Sequence, residues 1–82
     1  MLVTRGDAYV EARDLISARL YFERAAEAGD GRAAVRMGKT FDPAFLARAG
    51  IRAMQGHRQQ AFFWYQRASD FGDAYANELL KN

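Results

Sequence analysis

The chain has 82 residues, 50% apolar and 27% charged, which suits one small folded domain and excludes a disordered or collagen-like polymer. It has no cysteine, which excludes a disulfide framework and any thiolate metal site. The formal charge is +2, and the arginines are scattered among acids rather than gathered into a basic tail. No apolar run approaches the roughly 18 residues a membrane helix requires. The opening MLVTRGDAYV lacks the apolar core and small-residue cleavage site of a signal peptide. The default expectation is therefore a cytoplasmic chain, unless it is excised from a larger protein.

The first predicted helix covers Leu2 to Ala12, with Leu2, Gly6, Tyr9 and Val10 on one face. Asp14 has the character of an N-cap, its carboxylate accepting backbone N–H groups at the start of a second helix that runs to Ala28. Leu15, Ala18, Phe22, Ala25 and Gly29 form a stripe at spacings of three and four, widened by Leu20 and Tyr21. Arg19, Glu23 and Glu27 are assigned to the outer face of this helix. Gly29 ends it, and Asp30 caps the next.

A third helix is expected from Gly31 to Phe41, with a small-residue face of Ala33, Ala34, Met37, Gly38 and Phe41. Asp42-Pro43 stops it, because proline disfavours helical geometry at the preceding residue, and starts a short helix to Ala49. Gly50 to Gly56 reads as a loop tucked down by Ile51 and Met54, with continued helix as the alternative. The next helix spans His57 to Phe71. Its consecutive Phe62, Phe63, Trp64 and Tyr65 sweep through about 300° and cannot all face one core. Trp64 and Tyr65 are assigned to the core and Phe63 to burial there or beneath a loop. Phe62 is left open, and either phenylalanine, if exposed, would join an interaction patch. Gly72 and Asp73 then introduce a terminal helix, Ala74 to Leu80, with Ala76, Leu79 and Leu80 inward.

One passage is written twice. Ala18 to Asp30 reads ARLYFERAAEAGD, and 43 positions later Ala61 to Asp73 reads AFFWYQRASDFGD. Alanine falls on alanine at Ala18 and Ala61, aromatic on aromatic at Phe22 and Tyr65, and Arg24, Ala25 and Gly29-Asp30 recur as Arg67, Ala68 and Gly72-Asp73. A period of this length marks stacked repeats that cannot bury their apolar faces singly.

On these residues the chain resembles the tetratricopeptide class, through Gly6, Tyr9, Ala18, Phe22 and Ala25. It resembles the Sel1-like repeats of that superfamily more closely, through Ala61, Trp64, Tyr65, Arg67, Ala68, Gly72, Asp73, Ala74, Ala76 and Leu80. Ala33, Met37, Gly38 and Phe41 stand where such repeats carry Ala, Leu, Gly and Tyr. Lys81 departs from the glycine such repeats favour, and residues 42–56 form an insertion. The resemblance implies an all-α superhelix (solenoid) of stacked antiparallel helix pairs. It would hold two repeats, about 2–30 and 31–73, and a partial terminal helix at 74–81.

It also implies a scaffold that binds a protein or peptide in a groove lined by the first helix of each pair. Arg5, Tyr9, Arg32, Arg36 and Lys39 are the candidate contacts, with Phe62 and Phe63 as candidate patch residues. A groove of that composition suits an acidic or carboxylate-terminated peptide. A second reading is a self-associating structural module, a homodimer or part of a longer array, using Leu2, Val3 or Phe62. A third, nucleic-acid binding through Arg48, Arg52 and Arg58, is disfavoured by the near-balanced charge. No phosphate loop, nucleophile elbow or zinc motif occurs, and the lone His57 reads as a surface or capping residue. The expectation is no enzyme, no cofactor and no metal.

Overall fold

The computed structural model describes residues 1–81, and the regular structure among them is all helix, with no strand. Six helices follow in chain order: α1 Leu2–Glu11, α2 Leu15–Glu27, α3 Gly31–Lys39, α4 Pro43–Arg48, α5 Arg58–Asp70 and α6 Ala74–Leu80. None is long and apolar enough to cross a membrane among the described residues. α1 packs on α2, α2 on α3, α3 on α5 and α5 on α6, while the short α4 joins the body through Leu46. The molecule is a slab of 30 × 29 × 15 Å.

Four aspartates set the helix starts. Asp14 accepts from Ser17 N at 3.1 Å, Asp30 from Arg32 N at 2.9 Å, Asp42 from Ala44 N at 2.9 Å and Asp73 from Ala76 N at 3.1 Å. Each satisfies backbone donors that a helix N-terminus leaves open. The stops are equally regular. Gly29, Gly50 and Gly72 adopt φ of 93°, 70° and 90°, the left-handed geometry of a helix C-terminus, and the following N–H reaches back to Ala25, Leu46 or Ala68. Arg13 adopts the same geometry after α1, with φ of 66°, and Asp14 N–H reaches Tyr9 O at 2.8 Å. That position carries no glycine signal, which is why sequence alone does not mark it.

The repeated positions are core positions. Ala18, Phe22 and Ala25 on α2, and Ala61, Tyr65 and Ala68 on α5, are all buried. Each aromatic ring rests on a glycine of the preceding inner helix. A Cβ at Gly6 would overlap the Phe22 ring, and one at Gly38 would stand 2.5 Å from Tyr65 Cε1. The two helix pairs thus share one contact, in which a missing side chain admits a ring. The 42–56 segment is part of the body. Leu46 and Ile51 are buried with Leu15, joined by partly buried Val10, Phe45 and Met54. Residues 50–56 are irregular rather than helical, and His57 N–H closes the segment on Phe41 O at 2.7 Å.

Several expectations are corrected. α3 ends at Lys39, two residues before Phe41. On α1 it is Val3, not Leu2, that faces inward, because Gly6 sets the buried stripe at a spacing of three. Leu20 and Phe63, which occupy equivalent positions 43 residues apart, both point to solvent, with 59% and 55% exposure. Phe63 lies edge-on to Trp64, which is half-buried and packs toward α2 and α3. Arg19 is not an outer-face residue. Its Nε donates to Thr40 Oγ1 at 2.9 Å, its Nη2 donates to Thr40 O at 2.6 Å, and its guanidinium sits 3.8 Å over the Phe41 ring. An arginine at the C-terminus of α3 satisfies an open carbonyl and opposes the helix dipole. Burial lowers its pKa from the ordinary value, and the ring face and two hydrogen bonds hold the charge in place.

Candidate binding groove

The inner helices α1, α3 and α6 share one side of the slab, and across them lies a groove of about 450 Å³. α1 contributes Asp7 and Val10, α3 contributes Arg32, Val35, Arg36 and Lys39, α6 contributes Tyr75, and α4 closes one end with Phe45. Helical spacing explains the α3 wall. Arg32, Arg36 and Lys39 fall four and three residues apart and rise on one face, while Ala33, Ala34 and Met37 turn to the core. Arg36 and Lys39 also stand in the last turn, where cations offset the partial negative charge of the helix end.

The three cations differ in their partners. Arg32 is exposed, and its Nη2 pairs with Asp30 Oδ2 at 3.2 Å. The Asp30 hydrogen bond raises the Arg32 pKa above its ordinary value, and the same bond, helped by the Ala33 and Arg32 backbone donors, lowers that of Asp30. Arg36 Nε donates to Asp7 Oδ1 at 2.8 Å, a bridge from α3 to α1 across the groove wall. Both partners are more than a third exposed, so solvent screens this pair heavily and it contributes at most about 1 kcal/mol. Lys39 is half-buried, with no carboxylate within ion-pair reach among the described residues. Its ammonium instead lies 4.9 Å from the centre of the Tyr75 ring and 5.9 Å from that of Phe45.

Of the contacts expected from sequence, the structure gathers Arg32, Arg36 and Lys39 in the groove and leaves the others elsewhere. Arg5 is exposed on α1, outside the groove lining. Tyr9 lies in the seam between the first two helices, stacked on Tyr21 with ring centres 5.5 Å apart and planes 15° off parallel. Phe62 is half-buried beside a second cavity of about 330 Å³ lined also by Asp42, Arg48 and Arg58. The Arg58 guanidinium lies 5.4 Å over the Phe62 ring. Phe63 is exposed on the outer side, and Arg67 lies within 6 Å of the Phe63, Trp64 and Phe71 rings. His57 holds the N-cap position of α5, exposed and without a side-chain cap bond.

Sequence reasoning missed Phe45 and Tyr75. Tyr75 was within reach, since it stands 43 positions after Arg32 and so inherits an inner-face position. Phe45 was not, because it belongs to the 40–57 connection between α3 and α5, and the short link between α1 and α2 has no counterpart to it. Its placement depends on a buried anchor. Tyr65 Oη donates to Asp42 Oδ2 at 2.7 Å, while Asp42 Oδ1 caps α4 at Ala44. Burial, with that hydrogen bond second, pushes the Tyr65 phenol far above its ordinary pKa, so it remains a donor.

The groove is therefore apolar at its floor, cationic along one wall and bounded by aromatic rings. Such a surface can hold a chain segment by burial and orient it by charge, and no group of three His, Cys, Asp or Glu side chains is placed to hold a metal among the described residues. Neither a family model, a curated protein nor a solved structure matches the chain.

Proposed function

We propose that the chain is a non-enzymatic scaffold of Sel1-like, tetratricopeptide-type helix pairs, stacked as a short solenoid, that binds a protein or peptide segment in the groove across α1, α3 and α6. The observation that carries this reading is the line of Arg32, Arg36 and Lys39 along an apolar groove on the side formed by alternate helices. The glycine-seated aromatics Phe22 and Tyr65, at repeat-equivalent positions, support the helix-pair description. The test is selection from a displayed random-peptide library, followed by mapping the selected peptides through backbone amide shifts. The expected result is perturbation confined to α1, α3, α4 and α6. Peptides that map to the outer faces of α2 and α5, or no binder tighter than about 1 mM, would overturn it.

A second reading is favoured by one separate observation. Ile16, Leu20, Phe63 and Phe71 are exposed on the outer helices α2 and α5, or at the end of α5. On that reading the outer face is a self-association surface. Light scattering across a hundredfold range of concentration separates the two, since a dimer that Phe63→Ser dissolves belongs to the outer face and leaves the groove free.

A further inference from the structure

Within the groove of the proposed function, on which this inference rests, one cation differs from its neighbours. Arg32 and Arg36 are each held by a carboxylate, whereas Lys39 projects between two aromatic rings, Tyr75 of α6 and Phe45 of α4. A ring face attracts an ammonium group but does not accept all three of its N–H donors. Lys39 thus keeps donors for an incoming anion, beside an apolar floor made by Val10 and Val35.

We propose that Lys39, Phe45 and Tyr75 form a subsite for the side-chain carboxylate of an acidic residue within a bound peptide, with an adjacent apolar side chain lying against the two rings. Charge complementarity names the occupant. The carboxylate meets an ammonium that has no anionic partner among the described residues, and the apolar neighbour covers ring surface, Tyr75 being 50% exposed, from water. A nucleic acid fits less well, because Asp7 and Asp73 also line the groove. A phosphodiester chain would carry a negative charge past both, and like charges at such range repel.

The insertion is what makes the subsite two-sided. Asp42 ties α4 to Tyr65, and Leu46, 3% exposed, pins it against Leu15, so Phe45 is held in position before a ligand arrives. A wall ordered in advance adds affinity because less freedom is lost on binding. The 42–56 segment is then a specificity element of the second repeat, not a spacer.

The experiment is an amide-shift titration of the 82-residue protein with two capped tripeptides, Ac-Leu-Glu-Leu-NH2 and Ac-Leu-Gln-Leu-NH2, and with a ten-nucleotide oligouridylate. The glutamate peptide is expected to shift the amides of Lys39, Phe45 and Tyr75, with a Kd roughly tenfold below that of the glutamine peptide. Lys39→Met should abolish the preference while circular dichroism and melting stay unchanged, since the side chain is only half-buried. Phe45→Ala should weaken both peptides several-fold and keep the preference. Equal affinity for the two peptides, a preference that survives Lys39→Met, or no shift with either would overturn the subsite. So would oligouridylate displacing the glutamate peptide with a steep loss of affinity in salt. Library peptides that map to the groove without any acidic preference would remove this subsite and leave the groove reading standing.

Discussion

The α1–α2 pair and the α3–α5 pair make the same contact with different connections. In the first, Phe22 rests on Gly6 and the helices are joined by Ala12, Arg13 and Asp14. In the second, Tyr65 rests on Gly38, and residues 40–57, including α4, intervene. The pairing therefore depends on ring against glycine, not on a tight turn. A longer connection costs little in chain entropy, which grows only slowly with loop length. The difference between the rings is chemical. Phe22 fills space, whereas Tyr65 also donates to Asp42, and that hydroxyl makes the insertion part of the folded body.

The sharpest way to break this comparison is to fill the two glycines. A methyl at Gly38 would meet Tyr65 Cε1 at 2.5 Å and the Ala61 carbonyl oxygen at 2.9 Å, so shifting the ring alone cannot relieve it. Gly38→Ala should destabilise by about 2–3 kcal/mol, read as a lower urea midpoint. At Gly6 the nearest atoms all belong to the Phe22 ring, with no backbone atom among the three closest, and Gly6→Ala should cost about 1–2 kcal/mol. The reverse order would mean that the two contacts are not equivalent packing units.

A smaller effect separates the two rings. Tyr65→Phe removes one hydrogen bond to a carboxylate and keeps the packing, so a loss of about 1–2 kcal/mol is expected. Amide exchange should quicken in α4 and at Ile51, whose N–H bonds to Leu46 O, and stay unchanged in α1 and α2. Uniform acceleration throughout the chain would show that the hydroxyl supports the whole fold.

The smallest effect lies at the turns. Arg13 holds the left-handed geometry that Gly29, Gly50 and Gly72 hold after three other helices. Arg13→Gly should relieve that strain and raise stability by about 0.5–1 kcal/mol, after the larger entropy of glycine in the unfolded chain is set against it. Thermal melting checks the sign. A loss would mean that the arginine side chain makes up for its backbone.

Much of the fold was legible because its signals are local. Asp14, Asp30, Asp42 and Asp73 cap because each precedes an apolar-periodic segment, and Gly29 and Gly72 stop helices because the left-handed turn favours a residue without Cβ. The repeat located Ala18, Phe22, Ala61 and Tyr65 in the core for the same reason. Part of the groove was legible too, since Arg32, Arg36 and Lys39 share a helical face. Arg19 was misplaced because its polar type and outer spacing concealed a carbonyl and a ring brought to it from 21 and 22 residues away. Tyr9 was assigned to the inner face from its register, but stacking on Tyr21 draws it into the seam.

By itself, then, the sequence determined where the aspartate caps and glycine stops fall, which residues are repeated, and that the inner face of α3 is small and apolar. These follow from backbone sterics, capping and periodicity, all of which act within a few residues. Only the tertiary structure decided that Phe63 and Leu20 remain in solvent, that Arg19 closes α3, and that Phe45 and Tyr75 bracket Lys39. Those outcomes depend on which neighbour reaches each side chain first, and the neighbours come from helices that the chain order alone does not set side by side.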